Sequence, residues 1–165
     1  HIVFSPDSRF FYVISELSGS VNVFSWSYGK SHKVQTVAAD KVGGHGSADI
    51  HISPDGRYLY ASNRLKNDGI AIFSINRQTG MLSPVGYQTT GLHPRNFAIT
   101  PNGNYLLCAC RDDNKIQVFR INKANGLLED THQDIAVDKA VCVKFYPIVM
   151  QPGVGDGQFR VIEKP

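Results

Sequence analysis

The amino-acid sequence predicts an all-β protein built from a repeated unit of four short strands. Three observations predict it: a turn motif that recurs, an aromatic-rich run after each copy, and a second run ending near a phenylalanine. The turns are Ser5-Pro6-Asp7, Ser53-Pro54-Asp55 and Thr100-Pro101-Asn102, at steps of 48 and 47 residues. Runs rich in β-branched and aromatic residues, bounded by turn residues, are typical of strands.

One complete copy shows the order of the elements. The stretch SADIHISPDGRYLYASNR, residues 47–64, contains a corner, an inner strand, a tight turn, a second strand and a second, charged corner. The matching second strands are RFFYVIS, RYLYASN and NYLLCAC, and the third strands are SVNVFSW, GIAIFSI and KIQVFRI. Outer strands are expected in GKSHKVQTV, TGMLSPVGYQTT and NGLLEDTHQDI. Four short strands at this period indicate a β-propeller blade, whereas a sandwich would not explain the regular return of the turn.

The repeat predicts blades at residues 1–46, 47–93 and 94–139, and an incomplete fourth unit at 140–165. The fourth unit is expected to open with an inner strand from Val141 to Pro147, and QFRVIE at 158–163 could form one more strand. Apolar residues at period two on the inner strands can fill the space between neighbouring blades. These residues are Ile2 and Phe4, Ile50 and Ile52, Phe97 and Ile99, and Val143 and Phe145.

Three blades and part of a fourth cannot close a ring, and an open ring leaves blade faces and sheet edges uncovered. We therefore expect the missing blades to come from the rest of a longer chain or from another copy. The sequence begins at His1, already inside a strand-like pattern, which favours a fragment of a longer protein.

The charge and hydropathy of the sequence argue against nucleic acid and membranes as binding partners. The net charge of +3 is small, and lysine and arginine are scattered without a basic run, so nucleic acid is not expected as a partner. No apolar run is long enough to cross a bilayer, so no membrane partner is expected either. Cysteines 108, 110 and 142 do not form a disulfide framework, and buried free thiols weakly favour a cytoplasmic location.

Polar residues concentrate at the corners of the repeat. In an antiparallel four-stranded blade, the corner before the first strand and the corner between strands two and three lie at the same end. The corners of successive blades should therefore meet on one rim near the central channel. The second corners supply Glu16, Arg64 and Arg111, and the first corners supply His1, Asp49, His51, His93, Arg95 and Asn96. Such a rim suits a small anionic molecule, because arginine binds carboxylate or phosphate and histidine can move a proton.

Each of these residues also has a purely structural interpretation. Asp49 could pin the start of its strand, and His51 could be a hydrogen-bonded strand residue. Arg111 can pair locally with the two aspartates that follow it, and His45 in the GGHG corner could reach the rim. The sequence contains no glycine-rich phosphate loop, zinc motif or nucleophile elbow, so no metal and no cofactor is expected.

Several motifs together resemble a known family. HIVFSPDSRFFYVISEL, SADIHISPDGRYLYASNR, HPRNFAITPNGNYLL and AVCVKF are similar, in order and spacing, to the C-terminal half of the lactonase family of seven-bladed β-propellers, of the bacterial 6-phosphogluconolactonase type. The resemblance covers about residues 1–146 and implies metal-free hydrolysis of a sugar-phosphate lactone to its acid in the pentose phosphate pathway. It also implies that an upstream histidine and arginine complete the site.

The resemblance assigns roles to individual residues. It implies catalytic roles for Glu16 and Arg64. Glu16, or an upstream histidine, would act as the base toward water, and Arg64 would hold the oxyanion or the phosphate. His1 falls on the histidine of the family's Pro-Arg-His motif. We expect substrate binding by His1, Asp49, His51, His93, Arg95 and Asn96.

The sequence departs from the family at three positions. Ser15 replaces the usual Asn, Arg111 stands where Gln is common, and Ala140 replaces a Pro. Arg111 is therefore not expected to share the family's role. Two other functions stay open, a lactonizing cycloisomerase of the same family and a propeller that binds a partner without catalysis.

Overall fold

Three antiparallel sheets follow one another along the chain in the computed structural model, which describes residues 1–146. The first sheet contains β1 (Ile2–Phe4), β2 (Phe10–Ser15), β3 (Ser20–Ser27) and β4 (Lys30–Ala38). The second contains β5 (Ile50–Ile52), β6 (Tyr58–Asn63), β7 (Gly69–Ile75) and β8 (Leu82–Thr89). The third contains β9 (Pro94–Ile99), β10 (Tyr105–Cys110), β11 (Lys115–Ile121), β12 (Leu128–Asp130) and β13 (Ile135–Ala136), with a 3₁₀ turn at Arg111–Asp113.

The strand order in every sheet follows the chain, so each sheet is a meander with the inner strand at one edge. In the third sheet the outer strand is split, and both β12 and β13 pair with β11. The predicted all-β fold, a partial propeller of about three four-stranded blades, is confirmed. No helix among residues 1–146 is long and apolar enough to cross a membrane.

The recurring turn is held by one hydroxyl group. Ser53 Oγ donates to Asp55 Oδ1 at 2.6 Å and accepts from the backbone N–H of Tyr58 at 3.0 Å. The hydroxyls of Ser5 and Thr100 make the matching contacts in the other two sheets. Since the turn satisfies its own polar groups, the two strands on either side of it are held in register at that end of each sheet.

The central strand β6 of the second sheet is buried on both faces. Every residue of β6 is buried, and successive side chains point to opposite faces of the sheet. Leu59 and Ala61 contribute to the core shared with the first sheet, and Tyr58 and Tyr60 contribute to the core shared with the third. The blades therefore stack face to face, as the repeat predicts.

Hydrogen bonds with a regular spacing join neighbouring blades. Tyr12 donates its hydroxyl to the carbonyl of Gly80 at 3.1 Å, and Tyr60 donates to the carbonyl of Gly126 at 2.9 Å. Both glycines have a positive φ, 73° and 79°. At Gly126 a Cβ atom would lie 2.4 Å from the ring of Tyr58. Only glycine fits there, because the backbone conformation and the neighbouring ring both exclude a side chain.

The inner-strand apolar residues do not all reach a core. Ile50 and Phe97 are buried between blades, with 2% and 0% exposure. Ile2 and Phe4 are 53% and 49% exposed, because within residues 1–146 no blade lies before the first sheet. The face that carries them is an uncovered blade face.

The prediction of an inner strand from Val141 to Pro147 is wrong for residues 141–146. These residues form no strand, because no neighbouring segment in the described part of the chain pairs with them along a ladder. The N–H of Val143 in this segment donates to Asn96 Oδ1 at 2.7 Å. Pro147 and the predicted strand at 158–163 lie outside the described residues.

Candidate functional site

The second corners of the first two blades meet at Arg64, which follows β6. The residue is 8% exposed, and its guanidinium group is held by three hydrogen bonds. Nε donates to the carbonyl of Gly46 at 2.9 Å, Nη1 donates to His93 Nε2 at 2.9 Å, and Nη2 donates to Glu16 Oε1 at 2.6 Å. A guanidinium group has five N–H donors, so two have no hydrogen-bond partner within residues 1–146.

His93 lies between two guanidinium groups. Arg64 contacts its Nε2, while Arg111 Nη2 lies 3.2 Å and Asp112 Oδ2 lies 3.4 Å from its Nδ1. Burial lowers the pKa of His93, and the positive charges of Arg111 and Arg64 lower it further. The ring is therefore assigned as neutral, with Nε2 accepting from Arg64 and the Nδ1 proton directed to Asp112.

Asp49, at the start of the second sheet, joins all three blades. It is 2% exposed and its carboxylate accepts five hydrogen bonds. Oδ1 accepts from His1 Nδ1 at 2.6 Å and from the N–H of Ile50 at 2.9 Å. Oδ2 accepts from His51 Nε2 at 3.1 Å. The side chain of Asn96 and the N–H of Phe97, the latter at 3.1 Å, complete the set at Oδ2.

Buried polar side chains hold the two corners of the second blade together. Ser62 Oγ accepts from the N–H of Asp49 at 3.0 Å. Ser47 Oγ donates to Asn63 Oδ1 at 2.6 Å, and Asn63 Nδ2 donates to the carbonyl of Ala39 at 3.0 Å. These contacts place Asp49 and Arg64 at the same end of one sheet. Sequence reasoning did not single out the two serines and Asn63, although all three occupy the quoted corner stretch.

Arg95 lies at an irregularity of the third sheet. The register between β10 and β9 shifts there, because Ala109 pairs with Asn96 while Cys110 pairs with Pro94. Bulges of this kind redirect a side chain and are frequent next to active sites. The Arg95 side chain is half-buried and makes no hydrogen bond or ion pair within residues 1–146. Its charge is available to a ligand.

The structure therefore divides the predicted residues into two groups. Glu16, Arg64 and His93 meet at the second corners, and Asp49 gathers the other predicted residues except Arg95. The Asp49 group contains His1, His51 and Asn96. Both groups lie at the same end of the sheets, opposite the recurring turns.

Two further corner residues lie close to the second-corner group. Arg111 pairs with Asp112 at 2.8 Å, as the local interpretation predicts, but it also lies against His93 in the second-corner group. In the sequence, that contact was indicated by the position of Arg111 in the repeat, which is equivalent to those of Glu16 and Arg64. His45 is exposed, and its Nδ1 lies 2.6 Å from the carbonyl of Leu17, next to Glu16.

The side chains at this end of the molecule are suited to bind an anionic polar ligand. It combines guanidinium donors, a carboxylate and imidazoles, which can bind negative charge and transfer protons. No group of three or more metal-binding side chains is placed to hold a metal ion within the part of the chain that is described. A small cavity lined by Pro6, Tyr12 and Gly56 lies at the turn end of the sheets, away from these groups.

The fold and the polar corners define the molecule as a partial β-propeller with a polar rim. The family described as lactonase, seven-bladed beta-propeller, matches residues 1–145, and the chain belongs to this family.

Named relatives agree with that assignment. A 6-phosphogluconolactonase from Formosa agariphila is 41% identical over 150 residues, 88% of this chain and 42% of the relative. A 6-phosphogluconolactonase from Erwinia tasmaniensis is 40% identical over 132 residues, 78% of this chain and 40% of the relative. The chain thus spans about two fifths of the length of these curated relatives.

Solved structures show the same partial overlap. A crystal structure of a candidate 6-phosphogluconolactonase from Bacteroides uniformis is 63% identical, with a TM-score of 0.87, over 88% of this chain and 43% of that chain. The periplasmic gluconolactonase PpgL from Pseudomonas aeruginosa is 32% identical, with a TM-score of 0.79, over 84% of this chain and 40% of that chain. The likeness extends over most of this chain and under half of each neighbour.

Proposed function

We propose that this chain forms part of a 6-phosphogluconolactonase-like enzyme that hydrolyses a sugar-phosphate lactone to its acid in the pentose phosphate pathway. The observation that carries the proposal is the contact between Arg64 and Glu16 at the rim, 2.6 Å between Nη2 and Oε1. It places a cation with free donors beside an exposed carboxylate. The names of the similar proteins support the choice of lactone.

Hydrolysis needs a base, an oxyanion binder and groups that hold the substrate. Glu16, whose side chain is 61% exposed, takes a proton from water as the water oxygen attacks the lactone carbonyl. The two remaining N–H donors of Arg64 hold the negative oxygen that develops, or the phosphate. The ring C–O bond then breaks, and the departing oxygen takes from Glu16 the proton that Glu16 had removed from the water. Arg95 and His51 position the sugar acid.

The open face of the first sheet supports a larger ring. Phe11 stacks on Phe24 with ring centroids 4.8 Å apart, and Phe4 lies 5.5 Å from Phe11. Trp26 contacts Phe11 edge-on at 6.3 Å and is 43% exposed. In the second and third sheets the preceding blade covers the equivalent face. The aromatic surface of the first sheet therefore fits a preceding blade as well. We refer to the ring with all its blades as the complete propeller, whose missing blades come from the rest of the parent chain or from another copy.

The isolated chain is expected to have little or no activity, since the missing blades would carry half of the rim. We place the complete propeller in the cytoplasm. This location is supported by Cys108 and Cys110, which are free, buried thiols with sulfur atoms 4.0 Å apart. The prediction of a buried thiol is wrong for Cys142, which is free and exposed.

The test is lactone hydrolysis by the complete propeller with Glu16→Gln. We expect kcat to fall by about 100-fold or more, the usual contribution of a general base. Glu129→Gln is the matched control, because Glu129 is exposed on β12 and lies in the outer strand. Unchanged turnover in Glu16→Gln would remove Glu16 from the mechanism. No turnover in the unmutated protein would favour a binding module without catalysis.

A lactonizing cycloisomerase is the second candidate. The observation that favours it is the pair of guanidinium groups, Arg64 and Arg111, on either side of His93, since two cations suit a dicarboxylate. Product analysis with a muconate substrate and with a sugar-phosphate lactone separates the two reactions.

A further inference from the structure

Asp49 is more enclosed than a substrate-binding residue needs to be. Its side chain is 3% exposed and its two oxygens already accept five hydrogen bonds. A carboxylate has about four lone-pair sites, so no acceptor capacity is left for a ligand. The prediction that Asp49 binds substrate therefore does not fit its surroundings.

The same contacts define the proton positions of two imidazoles. A carboxylate only accepts, so His1 must carry its proton on Nδ1 and His51 must carry its proton on Nε2. The opposite nitrogens, Nε2 of His1 and Nδ1 of His51, are then acceptors when the rings are neutral. Neither has a hydrogen-bond partner within residues 1–146. Both side chains reach solvent, at 52% and 35% exposure.

Packing also holds the ring of His51 in place. His51 packs edge-on against Phe97, with ring centroids 4.8 Å apart and an angle of 75° between the planes. Asp49 itself is anchored by backbone N–H groups of two blades, those of Ile50 and Phe97. The carboxylate cannot turn without leaving a buried backbone donor unpaired, which is unfavourable.

We propose that Asp49 is a positioning residue that fixes the tautomers of His1 and His51, so that each ring offers an acceptor nitrogen to the hydroxyl groups of a polyhydroxylated lactone. The choice of a lactone as the ligand rests on the proposed function, whereas the assignment of the two tautomers does not. Sugar hydroxyls are donors that such nitrogens bind, whereas the guanidinium groups serve the charged part of the molecule.

The substitution Asp49→Asn gives a specific expectation. Each oxygen accepts one backbone N–H, from Ile50 at Oδ1 and from Phe97 at Oδ2, and Oδ2 accepts two further donors. The amide oxygen should therefore take the Oδ2 side, which leaves the N–H of Ile50 without an acceptor. The amide NH₂ then faces His1 Nδ1, which must give up its proton and accept. His1 should switch from the Nδ1–H to the Nε2–H tautomer, while His51 keeps its own.

The first measurement is the imidazole ¹⁵N spectrum of the complete propeller, with and without Asp49→Asn. Nδ1–H on His1 and Nε2–H on His51 in the unmutated protein, followed by a switch of His1 alone, support the proposal. Nε2–H on His1 before mutation, or no switch after it, overturns it. The exposed Asp138→Asn is the control and should leave both tautomers unchanged.

The second measurement compares two substrates, 6-phosphogluconolactone and a phosphorylated lactone without ring hydroxyls. Asp49→Asn should lower kcat/KM about 10-fold for the first and less than 2-fold for the second, because one acceptor is lost. Equal losses would overturn the role in hydroxyl binding. If neither lactone is hydrolysed by the unmutated protein, the proposed function fails, and the tautomers still decide the positioning role.

A second variant covers the case in which Asp49→Asn does not fold. His51→Gln leaves four of the five donors to Asp49 in place. It should keep the His1 tautomer and lower kcat/KM for the hydroxylated lactone alone. A loss of the same size for both lactones contradicts the proposal.

Discussion

Arg64 and Glu16 are 48 residues apart in the chain, and their side chains meet at 2.6 Å between Nη2 and Oε1. They occupy equivalent second corners of neighbouring blades. Arg64 is buried while Glu16 is exposed, so the pair joins the interior of the second blade to the surface of the first. The contact shows how a repeat of short strands brings distant charges together at one end of the fold.

The glycine at the interblade contact should be more sensitive to substitution than one in an open turn. Gly126→Ala imposes a strained positive φ and a clash with the ring of Tyr58. We expect a loss of about 2–4 kcal/mol in the free energy of unfolding, measured by urea denaturation of the complete propeller. Gly29→Ala is the control, because Gly29 has a φ of 72° and no atom near its Cβ position. It should cost about 1 kcal/mol. Equal losses would show that the clash does not matter.

Mild acid should loosen the second-corner group through His93. Its folded-state pKa lies below the ordinary value of 6.5, because burial and the two arginines disfavour the charged ring. The unfolded chain therefore binds the proton more readily, and the stability that His93 provides is present above about pH 6.5 and is lost as the pH falls through the folded pKa.

His93→Asn tests this pH dependence. Asparagine tolerates the left-handed backbone, with φ at 60°, that His93 adopts. The difference in urea midpoint between the unmutated protein and His93→Asn should be larger at pH 7.5 than at pH 5. The exposed His132→Gln should change the midpoint little at either pH. A difference that grows toward pH 5 would contradict the neutral ring.

The repeat could be predicted from sequence because its signals are local. Ser53, Asp55 and Tyr58 lie within six positions, and their hydrogen bonds close the turn on its own. The alignment of repeats then placed Glu16 and Arg64 at equivalent corners. The two corners could then be predicted to meet, since the topology of an antiparallel blade puts them at the same end.

The contacts of Asp49 could not be read from the sequence. Its five donors come from three blades, and two of them are backbone N–H groups that carry no residue-specific signal. The same holds for Arg111, whose approach to His93 depends on the 3₁₀ turn after β10. The wrong strand at 141–146 has a related cause. A period-two pattern reports which residues share a face and does not report whether a partner strand lies beside them.

The most direct test of the account is the kcat/KM for 6-phosphogluconolactone hydrolysis by the complete propeller carrying Arg64→Lys. Lysine keeps the charge but loses the planar fork that reaches Gly46, His93 and Glu16 together. Arg120→Lys on the exposed face of β11 is the matched control. We predict a loss of about 100-fold for Arg64→Lys and less than 2-fold for the control. Equal activity in the two variants would contradict a lactone site at this rim.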